Sequence, residues 1–414
     1  MPTETVTLEQ HVYGGECLAR LSDKRAVFVP YTLPGETVDI RLTEDKPRYA
    51  RGELIKVIHS APERIQPRCP HAHPPAETKA VACGGCHYQH IPYEIQLQIK
   101  IDVLRDQLER IGKFSDPPIR PIITSPPWNY RNQIQFHISP EGQPGYLVSG
   151  SSATLPIREC HLPTETINEI WPLLDMESIP GLDRIILRGG LNDDQLILQS
   201  SDPQPIELEL DLPLSVVHIG PGGLLVLAGD DHIIIEVQQR LLRVSAESYC
   251  HTNTHITEKM VAHLIENLPL TPHTTLIDAY CGTGLFSAFL APHVGRLIGI
   301  DNSSSACEDF EINLDEYDHV ELYEAPVETV LPELDPGPGI ILVDPPRSGL
   351  ARQTLDAILA LGPDVLAYVS SDPATLARDA KRLTTGGYQL QQITPFDRSP
   401  QTYRIESISF WGKI

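Results

Sequence analysis

Leu276-Ile277-Asp278-Ala279-Tyr280-Cys281-Gly282-Thr283-Gly284-Leu285-Phe286-Ser287 passes from a short apolar strand, through a glycine-bearing turn, into the start of a helix. Glycine at such a turn lets the backbone approach a ligand closely where a parallel sheet changes direction. Alone, Gly-x-Gly after a strand is a weak signal, because a tight turn needs glycine for its shape. The downstream chain strengthens it. Leu297–Asp301, Ile340–Asp344 and Val365–Ser370 are further short apolar runs separated by helix-like stretches, the pattern of buried parallel strands. Asp301 ends the second strand, where an acidic side chain can hold ribose hydroxyls. A Rossmann-like domain is expected over residues 243–414.

Upstream the periodicity is different. Residues 5–58 hold short alternating runs such as Arg25-Ala26-Val27-Phe28-Val29, separated by turns at Gly14-Gly15 and Pro34-Gly35. This predicts a small antiparallel barrel over residues 1–62. Arg20, Lys24, Arg25, Arg41, Lys46, Arg48, Arg51 and Lys56 are interleaved there with Phe28, Tyr31 and Tyr49. Small RNA-binding barrels use such mixtures for backbone contact and base stacking, although any barrel surface carries scattered charge. Residues 63–242 form the central part. It opens with a loop rich in Pro, His and Cys, then a helix from Tyr93 to Ile111 with apolar residues at helical spacing, closed by Gly112. From 119 to 240, strand-like runs alternate with turns, which predicts a mostly antiparallel α+β domain. The fold class is multi-domain α/β.

Charge bounds the partners. The chain of 414 residues carries a net charge of −23, awkward for a binder of phosphates. Residues 1–120 hold 16 basic and 16 acidic side chains, and residues 121–414 hold 16 basic and 39 acidic, so the excess is confined to the second part. RNA contact should lean on the N-terminal third and on a local basic patch at the active site. An acidic enzyme of a small molecule fits the bulk charge equally. No apolar run approaches membrane-spanning length and no charged-then-apolar leader opens the chain, so a cytoplasmic protein without membrane contact is expected; a monomer is expected too. Of the eight cysteines, Cys69, Cys83 and Cys86 cluster and Cys160 comes later in the chain. In a cytosolic chain this arrangement points to metal rather than to disulfides.

Three blocks together resemble the RNA (uracil-5-)-methyltransferases: the Asp278–Ser287 turn, Asp344-Pro345-Pro346-Arg347-Ser348-Gly349, and Tyr368-Val369-Ser370-Ser371-Asp372-Pro373. The resemblance covers nearly the whole chain. It implies a TRAM barrel, an oligonucleotide-binding (OB-like) fold, at the N-terminus and S-adenosyl-L-methionine as cofactor. It places Asp278, Gly282, Gly284, Asp301, Asp344 and His251 at the cofactor, with Asn313 in the same region. His251 stands where the family commonly has glutamine. Glu406 matches the general base that removes the C5 proton. Tyr130-Arg131-Asn132 matches an RNA-facing feature. Cys69, Cys83, Cys86 and Cys160 match the ligands of a [4Fe–4S] cluster, although the 13 residues between Cys69 and Cys83 exceed the family's spacing. Four thiolates also suit zinc. His71, His73, His87 and His90 read as loop or packing residues, Cys281 and Cys307 as packing. The helix 93–111 is expected to pack on the catalytic domain.

The departure that matters is Ser371, at the position of the family's nucleophilic cysteine. Uracil C5 becomes nucleophilic enough to take a methyl group only after a nucleophile adds to C6. A thiol with a pKa of about 8.5 supplies a thiolate readily, and a hydroxyl does so far less. The leading expectation is a methyltransferase homologue acting on rRNA, with tRNA second and Ser371 at the nucleophile position. Two alternatives stay open: a non-enzymatic RNA-binding paralogue, and a methyltransferase of a nitrogen or oxygen that needs no covalent adduct.

Overall fold

The computed structural model describes residues 3–72, 81–174, 179, 181–202, 206, 212–335 and 337–413. The N-terminal alternation forms β1 (Thr3–His11), β2 (Glu16–Arg20), β3 (Ala26–Pro30), β4 (Thr37–Asp45) and β5 (Tyr49–His59), closed into a barrel in the order β1-β2-β3-β5-β4. Inward-facing Val6, Leu8, Val27, Val29, Val38 and Ile40 fill it. Several of its cations are tied to the barrel's own carboxylates: Arg25 to Asp23 and Asp45, Arg41 to Glu53, Arg51 to Glu16. Surface pairs of this kind add little stability, but they reduce the charge on offer to phosphates.

After α1 (Tyr93–Arg110), the central domain runs through β6 (Gln133–Ile138), β7 (Pro144–Leu147), β8 (Thr154–Pro156), α2 (Glu165–Ile170), β9 (Leu182–Arg188), β10 (Asp194–Ser200), β11 (Leu214–Gly220) and β12 (Gly223–Ala228). These seven strands form one sheet in the order β12-β11-β10-β9-β6-β7-β8, antiparallel as expected except where β10 meets β11. A hairpin of β13 (His232–Val237) and β14 (Arg240–Ser245) comes next. Val237 and Leu242 join the core of the C-terminal domain, and Ser245 donates from both its amide and its hydroxyl to buried Asp309. The seam expected after residue 242 therefore falls inside β14.

The C-terminal domain is α3 (Thr254–Asn267), β15 (Thr275–Ala279), α4 (Leu285–Leu290), β16 (Arg296–Asp301), α5 (Ser304–Asn313), β17 (Val320–Glu324), α6 (Val327–Val330), β18 (Ile340–Val343), α7 (Arg352–Leu361), β19 (Val365–Ser370), α8 (Pro373–Thr385), β20 (Tyr388–Phe396) and β21 (Glu406–Lys413). Its sheet has the order β17-β16-β15-β18-β19-β21-β20, parallel apart from β21, with an apolar core on each face. Leu104 and Leu108 of α1 enter one of these cores, so the helix that precedes the central domain in sequence packs on the catalytic one. Lys100 of α1 is fully buried and donates to Asp397 at 2.5 Å and to the Ser399 carbonyl at 3.0 Å, which fastens the β20–β21 loop. No helix among the described residues is long and apolar enough to cross a membrane.

Candidate active site

Strand order reverses between β15 and β18, and the loops after β15, β16, β18 and β19 meet at that edge. Open α/β sheets bind their ligands at such a switch point. A cavity of ≈670 Å³ opens there, and His251, Gly282, Asp301, Asp344, Ser371 and Glu406 all line it.

The glycine turn divides its labour. Gly282 has φ +53°, and a Cβ there would meet nothing within 4 Å, so its backbone borders open space. Its amide donates to Asp301 Oδ2 at 2.9 Å, while the Ser303 amide donates to Oδ1 at 2.9 Å. Gly284 has a different task. A Cβ there would lie 2.5 Å from Leu314 and 2.8 Å from Phe310, so this glycine lets the turn pack on α5. Asp278, 1% exposed, also stands behind the cavity wall: Ser287 Oγ donates to its Oδ2 at 2.6 Å, and burial pushes its carboxyl up to about 7. Gly284 and Asp278 thus shape the turn from the rear. Asn313 does likewise, donating to the Thr283 carbonyl at 2.9 Å.

Ser371 and Glu406 come together through strand register. Ser370 of β19 pairs with Ser407 of β21, so the next residue on each strand meets beyond the ladder's end. Asp372 caps α8, accepting from the amides of Ala374 and Thr375 at 3.0 and 2.9 Å. Its other oxygen accepts from the Tyr13 hydroxyl of the barrel at 2.5 Å. Arg398, two residues beyond β20, donates to Glu406 Oε2 at 3.0 Å and also bonds Tyr249. Burial raises the Glu406 carboxyl above its ordinary range, with Arg398 and Arg347 opposing. Burial, then the Glu406 charge, raises Asp344 as well. His251 is pulled down to about 3 by burial and then by Arg398, and its ring meets Phe286 edge-on at 5.9 Å, so it is a neutral wall residue.

The Tyr130–Asn132 segment, expected at the RNA, turns Tyr130 and Asn132 toward the protein's own loops. Tyr130 is buried and donates to the Pro400 carbonyl at 3.0 Å, and Asn132 donates to the His251 carbonyl at 2.9 Å. The segment is wedged between domains and fixes two loops of the cavity. Among the lining residues, Tyr249, Phe286, Glu328 and Arg398 were not anticipated. For Arg398 a signal existed: a cation close to the end of a domain dominated by carboxylates, eight residues before the expected base.

Cys69, Cys83, Cys86 and Cys160 line one narrow cavity together with Tyr146. Burial pushes the Cys83 thiol up to about 11 and the Cys86 thiol up to about 12, and the Arg131 guanidinium acts against both. No group of three or more His, Cys, Asp or Glu side chains that could hold a metal ion occurs among the described residues. His71 accepts from the Cys83 amide through its carbonyl at 2.9 Å, and His87 packs on Tyr403 with ring centroids 4.7 Å apart. His90 is buried, and His73 lies outside the described residues. Cys281 and Cys307 are buried packing residues.

Comparison with known proteins agrees with this architecture. The TRAM domain family matches residues 3–55, and the tRNA (uracil-5-)-methyltransferase family matches residues 338–413, which include Asp344, Ser371 and Glu406. An uncharacterized RNA methyltransferase of Aquifex aeolicus is 34% identical over 427 residues, covering 98% of this chain and 97% of its own. A second, from Streptomyces coelicolor, is 31% identical and covers 96% of this chain and 90% of its own. The crystal structure of the Pyrococcus abyssi tRNA (uracil-54, C5)-methyltransferase in complex with S-adenosyl-L-homocysteine superposes with a TM-score of 0.73 at 21% identity, covering 98% of this chain and 100% of that one. With its barrel, its switch-point cavity and these full-length relatives, the chain belongs to the RNA (uracil-5-)-methyltransferase family.

Proposed function

We propose that this protein binds S-adenosyl-L-methionine in the switch-point cavity and acts on RNA, rRNA before tRNA, through a uracil-5 site whose nucleophile position is occupied by Ser371. One observation carries the reading: the β19–β21 register sets Ser371 beside Glu406 on a cavity that Gly282 and Asp301 also line. When bound, the cofactor supplies an electrophilic methyl group on a sulfonium. Asp301 has carboxylate lone pairs left for ribose hydroxyls, and open space beside Gly282 admits the ligand to its backbone. In this reading Ser371 is the group that would add at uracil C6, and Glu406 the one that would take the C5 proton. Its pairing with Arg398 keeps a buried carboxylate in reach of its base form. Ser371 itself favours a second reading, methylation of a nitrogen or oxygen, which requires no adduct at C6. Nucleoside mass spectrometry of RNA from cells with and without this gene separates the two: loss of 5-methyluridine supports the first, and loss of an N- or O-methylated nucleoside the second.

Asp301→Ala is expected to weaken S-adenosyl-L-methionine binding by about 1–3 kcal/mol, the scale for losing hydrogen bonds to a charged group. Titration calorimetry measures it. Unchanged affinity in the variant would remove Asp301 from the cofactor site.

The four cysteines are assigned to a [4Fe–4S] cluster. The donor set is entirely thiol, the four side chains meet on one cavity, and Arg131 offers a buried positive charge that offsets cluster charge. Zinc is the other metal that four thiolates suit. The cavity between the thiols is only ≈20 Å³, so the loop must widen around a cluster. Protein purified without oxygen is expected to be brown, with about four irons per chain. A colourless preparation with stoichiometric zinc would refute the assignment.

A further inference from the structure

A second cavity, of ≈720 Å³, opens beside the first, between α7, α8 and the loop after β18. Tyr280, Glu328 and Pro346 line both cavities, so a chain leaving the active site along this wall enters the groove directly. Arg352, Arg378, Lys381 and Arg382 line the groove with two carboxylates, Glu328 and Asp379, and a third, Asp356, pairs with Arg382 and, at 3.8 Å, with Arg352. Asp379 is buried and already accepts from Arg378, Tyr368 and the Leu350 amide. Four cations against three carboxylates leave one net positive charge here, in the part of the chain where 39 acidic side chains face 16 basic ones. The Arg352 side chain is 83% exposed, and Lys381 is exposed as well.

We propose that this groove carries the RNA strand flanking the target nucleotide, with Arg352 and Lys381 contacting its phosphates. The proposal rests on RNA being the substrate and extends that reading to a binding track outside the active-site cavity. A cationic groove continuous with the site suits a polyanion threaded past it, and neutralised phosphates release counterions, which makes the contact salt-dependent.

The test compares the full-length protein with Arg352→Ala/Lys381→Ala, using fluorescence anisotropy of a short labelled single-stranded RNA over a series of salt concentrations. Arg296→Ala/Lys413→Ala is the charge-matched control: Arg296 begins β16 and Lys413 ends the antiparallel β21, which puts both at the opposite edge of the sheet. The groove variant is expected to bind RNA about tenfold more weakly at low salt, with a log K against log salt slope shallower by about 1–2. Its thermal midpoint and S-adenosyl-L-methionine affinity should be unchanged. Equal losses in both variants, or wild-type affinity and slope in the groove variant, would overturn the proposal while leaving RNA binding intact. Wild-type protein that binds no RNA even at low salt would overturn the RNA reading itself, and the groove with it.

Discussion

Ser371→Cys is expected to raise uracil-5 methylation of RNA by several orders of magnitude, since removing the nucleophile of a covalent enzyme costs up to about 10⁶-fold. The reason is the acidity of one atom. Addition at C6 needs an anionic nucleophile, and a thiol reaches that state near neutral pH while a hydroxyl requires a strong adjacent base. The surroundings favour the thiolate further. Residue 371 lies immediately before the N-cap of the 13-residue α8, where aligned peptide dipoles favour negative charge by about 0.3–1 kcal/mol. Arg347 lines the same cavity. Transfer of labelled methyl groups into RNA measures the gain. A variant no more active than the serine protein, with cofactor binding intact, would mean that the site has diverged beyond its nucleophile, with His251 and Arg404, which both line the cavity, the first suspects.

In the Ser371→Cys background, Glu406→Gln is expected to lower turnover by about 10²–10⁴-fold, the contribution typical of a positioned general base. Once C5 carries the methyl group, its proton must leave before the C6–S bond can break. Glutamine cannot take that proton, so a covalent complex with ordinary uracil RNA should accumulate. Glutamine preserves shape and can still accept from Arg398, which separates loss of base function from loss of packing. The pH profile gives an independent readout. Burial raises Glu406 above the ordinary carboxylate range, so the base form is lost as pH falls through that raised pKa. The acid limb of the rate should therefore lie above that of a free carboxylate and vanish in the glutamine variant. Turnover within a few-fold of the parent would assign proton removal to another group, with Asp344, a neighbouring carboxylate of the cavity, the first candidate.

Much of this architecture is legible in local pattern. Period-two alternation between turn residues announces the barrel, and apolar runs ending in Asp301 and Asp344 announce the parallel sheet, because buried strands must be apolar on both faces. What the pattern cannot convey is which side of a turn each residue faces. Gly282 and Gly284 are two positions apart, yet one borders the cavity and the other packs on Phe310 and Leu314. Asp278 looks like a ligand-binding carboxylate and is instead held by Ser287 beneath the turn. Long-range register was equally hidden. Nothing local places Tyr13 against Asp372, or Lys100 against Asp397, since those partners are 359 and 297 residues apart. The basic groove also escapes notice in sequence, because its cations come from two helices inside a strongly acidic domain.

Intact-mass spectrometry after incubation with 5-fluorouracil-containing RNA and S-adenosyl-L-methionine reports directly on whether residue 371 is the nucleophile position of a working uracil-5 site. Fluorine at C5 cannot leave as a proton does, so an adduct once formed persists. The Ser371→Cys protein should gain the mass of the RNA plus one methyl group, and the present protein should gain nothing. An adduct through Ser371 itself, or none in the cysteine variant while cofactor and RNA are both bound, would contradict that assignment.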